Sequence, residues 1–210
     1  MPLHRALLVL ALAACAGTPP QQPASAAPPD QRGALARPPA TFRNTPSCPG
    51  CLALTLTLRP DGAYVARERL GSSEFYDFGR WRESREDAVL HLTGGRDGER
   101  RYAVRPAEVL EAQPGTQGGD LRRAAEVETL RGPFRLVGLF DGRVFKECQT
   151  GLAWPLDDSR AAQALKERFS GGGRQAMLVS LDGRFEPQPR GEALRVVRTA
   201  AIHNERGCPG

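Results

Sequence analysis

The residues best equipped for chemistry in this chain are its five cysteines. A thiolate can attack an acyl donor, bind a soft metal or bond to a second sulfur, and neighbours and spacing select among these fates. Cys15 closes the run Leu12-Ala13-Ala14-Cys15, which has the pattern of a lipobox. The small residues let a peptidase reach the backbone, and the freed thiol accepts a diacylglyceryl group. Cys48 and Cys51 stand with two residues between them in Ser47-Cys48-Pro49-Gly50-Cys51. Cys148 and Cys208 lie far apart, the second almost at the C-terminus.

The leader sets the compartment in which that sulfur chemistry would run. Residues 1–14 combine a short basic start, His4 and Arg5, with an apolar run from Ala6. About ten apolar residues are too few for a permanent span, which needs roughly 20, and fit a signal-peptide core. Cleavage before Cys15 removes Arg5 and takes the formal charge from +5 to +4. Ala16 follows the acylated position where an Asp would signal inner-membrane retention, so the outer membrane is expected, with the chain facing the periplasm. The basic charge is spread arginine, with no Lys/Arg block interleaved with aromatics, which argues against nucleic acid.

Outside the cytosol disulfides persist. Four cysteines remain after Cys15, and four allow three pairings. The short Cys48/Cys51 spacing makes a local bridge easy, which leaves Cys148 for Cys208. That second bridge would close a loop of about 60 residues, worth roughly 4 kcal/mol in the chain-entropy model. Other readings of the Cys48/Cys51 pair stay open. A redox dithiol would open a helix in a βαβ unit, yet an alternating strand follows here. Zinc would need a second CxxC or paired His. Cu(I) prefers soft thiolates, but the mature chain adds only Met177, His91 and His203 as further soft or imidazole ligands. A structural disulfide, or a reducible one that senses the envelope, is the plainer expectation.

The elements that position these residues read as β throughout. Ala16 to Pro39 is rich in Pro, Ala and Gln and without an apolar period, the composition of an extended tether. Leu52 to Leu58 alternates Leu with Ala and Thr, the period of a half-buried strand. Arg59-Pro60-Asp61-Gly62 is a turn, and strands are expected over 63–70, 75–81, 87–92 and 100–104, with a sixth from Val109. The stretch 113–120 reads as a loop. A second unit opens at Phe134 with a strand, an Asp141-Gly142 turn and a return strand. Asp157-Asp158-Ser159 announces a helix that Gly171 to Gly173 would stop, and long strands follow from Gln175 and Ala193. Asp182-Gly183 is expected as a bulge inside the first of them.

The expected fold is all-β: a lipocalin-like N-terminal barrel over 42–115, a linker over 116–131, and an OB-type C-terminal barrel with one helix over 132–210, all behind a signal peptide (1–14) and a lipidated tether (15–41). Trp81 and Tyr64 are expected in barrel cores and His91 as an ordinary strand residue. Glu83, Glu86 and Asp87 are expected in a solvated turn. No Ser stands in a nucleophile elbow with a His partner, so no enzyme is expected.

Several of these residues together resemble the NlpE family of outer-membrane lipoproteins. The resemblance is carried by Cys48-Pro49-Gly50-Cys51, the Leu/Thr strand, Pro60-Asp61-Gly62-Ala63-Tyr64 and Phe78-Gly79-Arg80-Trp81. In the second half it is carried by Phe145 to Gly151, Leu178 to Phe185 and Cys208. It implies a role in copper homeostasis and surface-contact stress signalling, with copper as the cofactor to consider at Cys48 and Cys51. It also implies a Cys148–Cys208 bridge and contact with an envelope sensor kinase. The alternative is a small barrel that binds an apolar ligand or docks an envelope protein.

Overall fold

The computed structural model describes residues 38–210 apart from 97, 173, 174, 190, 205, 206 and 210. The leader, Cys15 and most of the tether lie outside the described residues. Eight antiparallel strands form a closed barrel: β1 (Ala40–Arg43), β2 (Ala53–Leu58), β3 (Ala63–Leu70), β4 (Ser73–Ser84), β5 (Val89–Gly95), β6 (Gly98–Arg105), β7 (Val109–Ala112) and β8 (Leu121–Arg123). Alternation places Phe42, Leu54, Leu56, Leu58, Tyr64, Leu90, Leu92, Tyr102, Leu110 and Leu121 inside, each 1% exposed or less. The interior is filled by side chains, as small barrels require.

The barrel reaches beyond the expected 42–115 at both ends. β1 and β8 are short, and neither has enough residues to show a period. They pair with each other and close the ring. The expected linker over 116–131 therefore contains a barrel strand. Its remainder is held against the barrel through Glu128. The Glu128 backbone N donates to Thr41 Oγ1 at 2.8 Å, and its carbonyl accepts from Thr57 Oγ1 at 3.0 Å. Arg43 (2.6 Å) and Arg67 (2.9 Å) hold its carboxylate. The turn after β2 forms as expected, with Gly62 at φ +82°; Trp81 Nε1 donates to the Arg59 carbonyl at 2.9 Å and covers it. Glu83 is a correction: it lies within β4 instead of in a solvated turn, because that strand runs on to Ser84.

The second half is a five-stranded sheet in the order β11-β10-β9-β12-β13. Its strands are β9 (Phe134–Phe140), β10 (Val144–Glu147), β11 (Ala153–Pro155), β12 (Met177–Gln188) and β13 (Gly191–Ile202). A parallel bridge between Leu156 and Leu194 curls the first edge toward the last. That order, with helix α1 (Arg160–Ser170) between the third and fourth strands, is the connectivity of an OB-type barrel. Ser159 caps the helix by accepting from the Ala162 backbone N. β12 is one continuous strand, and Asp182–Gly183 sits at a register shift within it.

The two halves share one apolar core. Phe78 points out of the barrel, opposite Val65 on the neighbouring strand, yet is only 4% exposed. It is covered by Phe134, Trp154 and Phe185, with ring centroids 6.1, 5.8 and 5.3 Å away. Arg59 seals the edge of this cluster. It lies over Phe185 at 5.2 Å and is held by Asp61 at 2.8 Å and Glu192 at 2.6 Å.

Phe78→Ala should cost about 3–5 kcal/mol, the range for removing a buried Phe. It should also split a single urea transition into two as the halves lose their common core, which fluorescence against far-UV circular dichroism would reveal.

Candidate functional site

In a barrel of successive hairpins, alternate connections share an end. The β1–β2 connection bearing Cys48 and Cys51 therefore lies at the same mouth as the β3–β4, β5–β6 and β7–β8 connections. Cys48 and Cys51 are joined there as a disulfide, with Cys48 exposed and Cys51 half-buried. Asn44 holds the base of this loop. Its amide donates to the Leu52 and Gly118 carbonyls, each at 2.7 Å, and its side-chain oxygen accepts from the Leu54 backbone N.

Inside this mouth the apolar filling gives way to charge. Glu68 and Arg100 face inward and pair with each other; Arg100 is 3% exposed. Beside them Asp77 Oδ1 accepts from the Arg96 backbone N at 3.0 Å, and Oδ2 accepts from the Tyr64 hydroxyl at 3.2 Å. These bonds pin the β5–β6 turn to β3 and β4. Gly95 leaves the room they need, since a Cβ there would lie 2.0 Å from Asp77 Oδ2. Burial raises the Asp77 carboxyl above the ordinary range despite the Arg96 N–H and the Arg100 charge. Burial also pushes the Tyr102 phenol up to about 12, against the Arg100 charge. Buried charges of this kind stabilise little but fix one arrangement when every partner is present.

The second disulfide lies on the other half. Cys148 and Cys208 are bonded across a sequence separation of 60, tying the C-terminal segment to the turn after β10. That turn is caged by Glu147, whose Oε2 accepts from the Gln149 N (3.0 Å), the Thr150 N (2.7 Å) and the Thr150 hydroxyl (2.7 Å). Gln149 then reaches the barrel. Gly94, at φ +94°, leaves a notch in which a Cβ would lie 2.1 Å from Gln149 Oε1. His203 anchors the other side of the bridge. Its backbone N donates to the Leu178 carbonyl at 2.9 Å, and its Nε2 meets Ser180 Oγ at 2.7 Å.

Outside any nucleophile elbow, one Ser does meet a His: Ser180 against His203. Register joins them, because β12 and β13 place residues far apart in sequence side by side. Ser180 sits mid-strand and is 8% exposed, without the sharp turn that presents a nucleophile. The pair satisfies a buried hydroxyl and holds the C-terminal segment.

Copper fits poorly at Cys48 and Cys51. Both sulfurs are consumed in a disulfide, and no group of three His, Cys, Asp or Glu able to hold a metal exists among the described residues. Met177 is buried in the second half, and His91 Nδ1 is 2.8 Å from Glu99 on the outer barrel face. Among the described residues no helix is long and apolar enough to cross a membrane.

No family model matches this chain, and no curated protein does. Among solved structures it is similar to the Cpx pathway activator NlpE from Escherichia coli. The identity is 21%, over 82% of this chain and 99% of that one, with a TM-score of 0.36. The barrel and OB-type assignments rest on the strand order described above.

Sequence reasoning missed Glu68, Asp77 and Arg100. The signal was parity: each falls on the inward register of a strand that also carries an aromatic side chain on that register, Tyr64, Trp81 or Tyr102.

Two measurements test the site. In the chain-entropy model the Cys148–Cys208 bridge is worth roughly 4 kcal/mol and the short Cys48–Cys51 bridge roughly 2 kcal/mol. Denaturant midpoints of the two paired Cys→Ser variants should fall in that order. Asp77→Asn tests the buried carboxyl. A raised folded pKa adds stability below the unfolded value that is lost as pH rises through the folded one. The wild type should therefore lose stability against Asp77→Asn from about pH 4 upward, and parallel pH profiles of urea midpoints would contradict this.

Proposed function

We propose that this chain is a non-catalytic lipoprotein of the cell envelope, acylated at Cys15 on the outer membrane and facing the periplasm. Its disulfides report the redox or folding state of that compartment to an envelope protein such as a sensor kinase. The lipobox and the NlpE-like motifs support the compartment and the partner class.

One observation carries the reporting role. The Cys148–Cys208 bridge constrains the turn whose Gln149 fits the Gly94 notch of the barrel. Cys208 is exposed and Cys148 half-buried, so a thiol reductant can reach the bond. Breaking it frees both the C-terminal segment and the turn that touches the barrel. Cys48–Cys51 is equally accessible but sits within one short loop, so its opening has local effects. A copper-dependent form of the same role would require that pair to be reduced first and a partner to supply further ligands.

A second reading draws on a cleft of about 440 Å³ at the junction of the halves. It is lined by Leu58, Pro60, Val65, Val127, Phe185 and Pro187 among others. This is the size of a small-ligand site, whereas the barrel interior is filled.

The test is an envelope-stress reporter in cells carrying the paired Cys→Ser variants. Cys148→Ser with Cys208→Ser should shift basal signalling at least severalfold and remove the response to a reductant. Unchanged signalling from that pair, at normal protein level, would overturn the reporting role.

A further inference from the structure

The outer face of β4, β5 and β6 carries positive charge that the fold does not use. Arg82 faces His91 across the β4–β5 ladder, and His91 faces Arg101 across the β5–β6 ladder, so the three stand in one row. Strands lie about 4.8 Å apart, which sets the two arginine stems on either side of the imidazole at roughly 10 Å. Arg80 is the previous outward residue of β4, opposite Thr93. Arg80, Arg82 and Arg101 are all exposed, and none has a carboxylate in ion-pair range among the described residues. The acid beside these arginines is Glu99, whose carboxyl pKa is lowered by its hydrogen bond to His91, with Arg101 and Arg82 adding to the effect. Some other exposed arginines are matched: Arg105 by Glu111, Arg135 and Arg198 by Asp182, and Arg195 by Glu186.

We propose that this arginine face docks the barrel on an anionic lipid surface. The proposal rests on the reading of Cys15 as an acylated anchor. The stretch from Ala16 to Pro39 spans about 80 Å at its fullest extension, so an anchored barrel stays within reach of the bilayer at all times. An exposed arginine near an anionic surface strengthens binding about fivefold, so three act together about a hundredfold. Guanidinium forks also suit phosphate oxygens. The junction with the second half is made by Ala63, Val65 and Phe78, with Gln149 reaching Gly94 at the end of β5, and it leaves Arg80, Arg82 and Arg101 exposed. Docking there would fix which side of the two-barrel body is presented to a partner.

The experiment uses the chain from residue 15 onward carrying Cys15→Ser, so that no acyl chain masks a weak contact. It is sedimented with vesicles of phosphatidylcholine alone, or with about 30% phosphatidylglycerol, at low salt and at about 0.15 M. Binding is expected on the anionic vesicles only, and weaker at the higher salt. Arg80→Gln, Arg82→Gln and Arg101→Gln together should weaken it about a hundredfold. Arg143→Gln, Arg160→Gln and Arg168→Gln, the same charge change on the second half, should leave it nearly intact. Equal loss in both triples would reduce the effect to net charge and overturn the proposal. Equal binding to neutral vesicles, no binding to either kind, or no loss in the first triple would do the same. The anchor is read separately, from the intact mass of the native protein, so the two ideas fail independently.

Discussion

One packing event organises this molecule: the seating of Phe78 among Phe134, Trp154 and Phe185. Phe78 projects from the outside of a closed barrel, where an aromatic side chain would otherwise meet water. Its near-complete burial means that the second half supplies its solvent shield. Burying a side chain of this size stabilises by about 2–3 kcal/mol, and edge-on ring contacts add to it. Arg59, Asp61 and Glu192 guard the rim of that cluster, and Glu128 fastens the connecting segment to the barrel wall. The two halves therefore share their apolar core, and a change in one has a physical route to the other.

The disulfides occupy different places in this arrangement. Cys48–Cys51 closes a loop that the Asn44 hydrogen bonds already hold, and it joins no distant parts of the chain. Cys148–Cys208 joins the C-terminal segment to a turn that also touches the barrel through Gln149. Equal chemistry at the two sulfur pairs therefore has unequal mechanical reach.

The buried ionic cluster in the barrel mouth is a further constraint. Glu68, Arg100 and Asp77 interrupt a mostly apolar interior: Glu68 and Arg100 pair with each other, and Asp77 bonds to Tyr64 and to the backbone of the β5–β6 turn. Such a cluster adds little net stability, since desolvation offsets most of the attraction. Its effect is to specify geometry: the turn next to the Gly94 notch has one position that satisfies every partner.

Local pattern alone was enough for the elements with a long period or strong punctuation. The Leu/Thr alternation of β2, the Pro60-Asp61-Gly62 turn and the Ser159 cap announced themselves because their causes lie within a few residues. Two short barrel strands, β1 and β8, did not, because three or four residues hold no period and the pairing of these two is set by closure of the ring. The inward charges were visible in principle by parity, but hydrophobicity averages over a strand and hides one Arg or Glu. Ser180 and His203 come together only through the register of two long strands. What the sequence by itself determined was the β character and the sulfur positions, since these follow from side-chain period and residue type. Tertiary structure alone decided which faces are covered, which charges are paired and how the second disulfide reaches the barrel, because those depend on contacts between residues far apart in the chain.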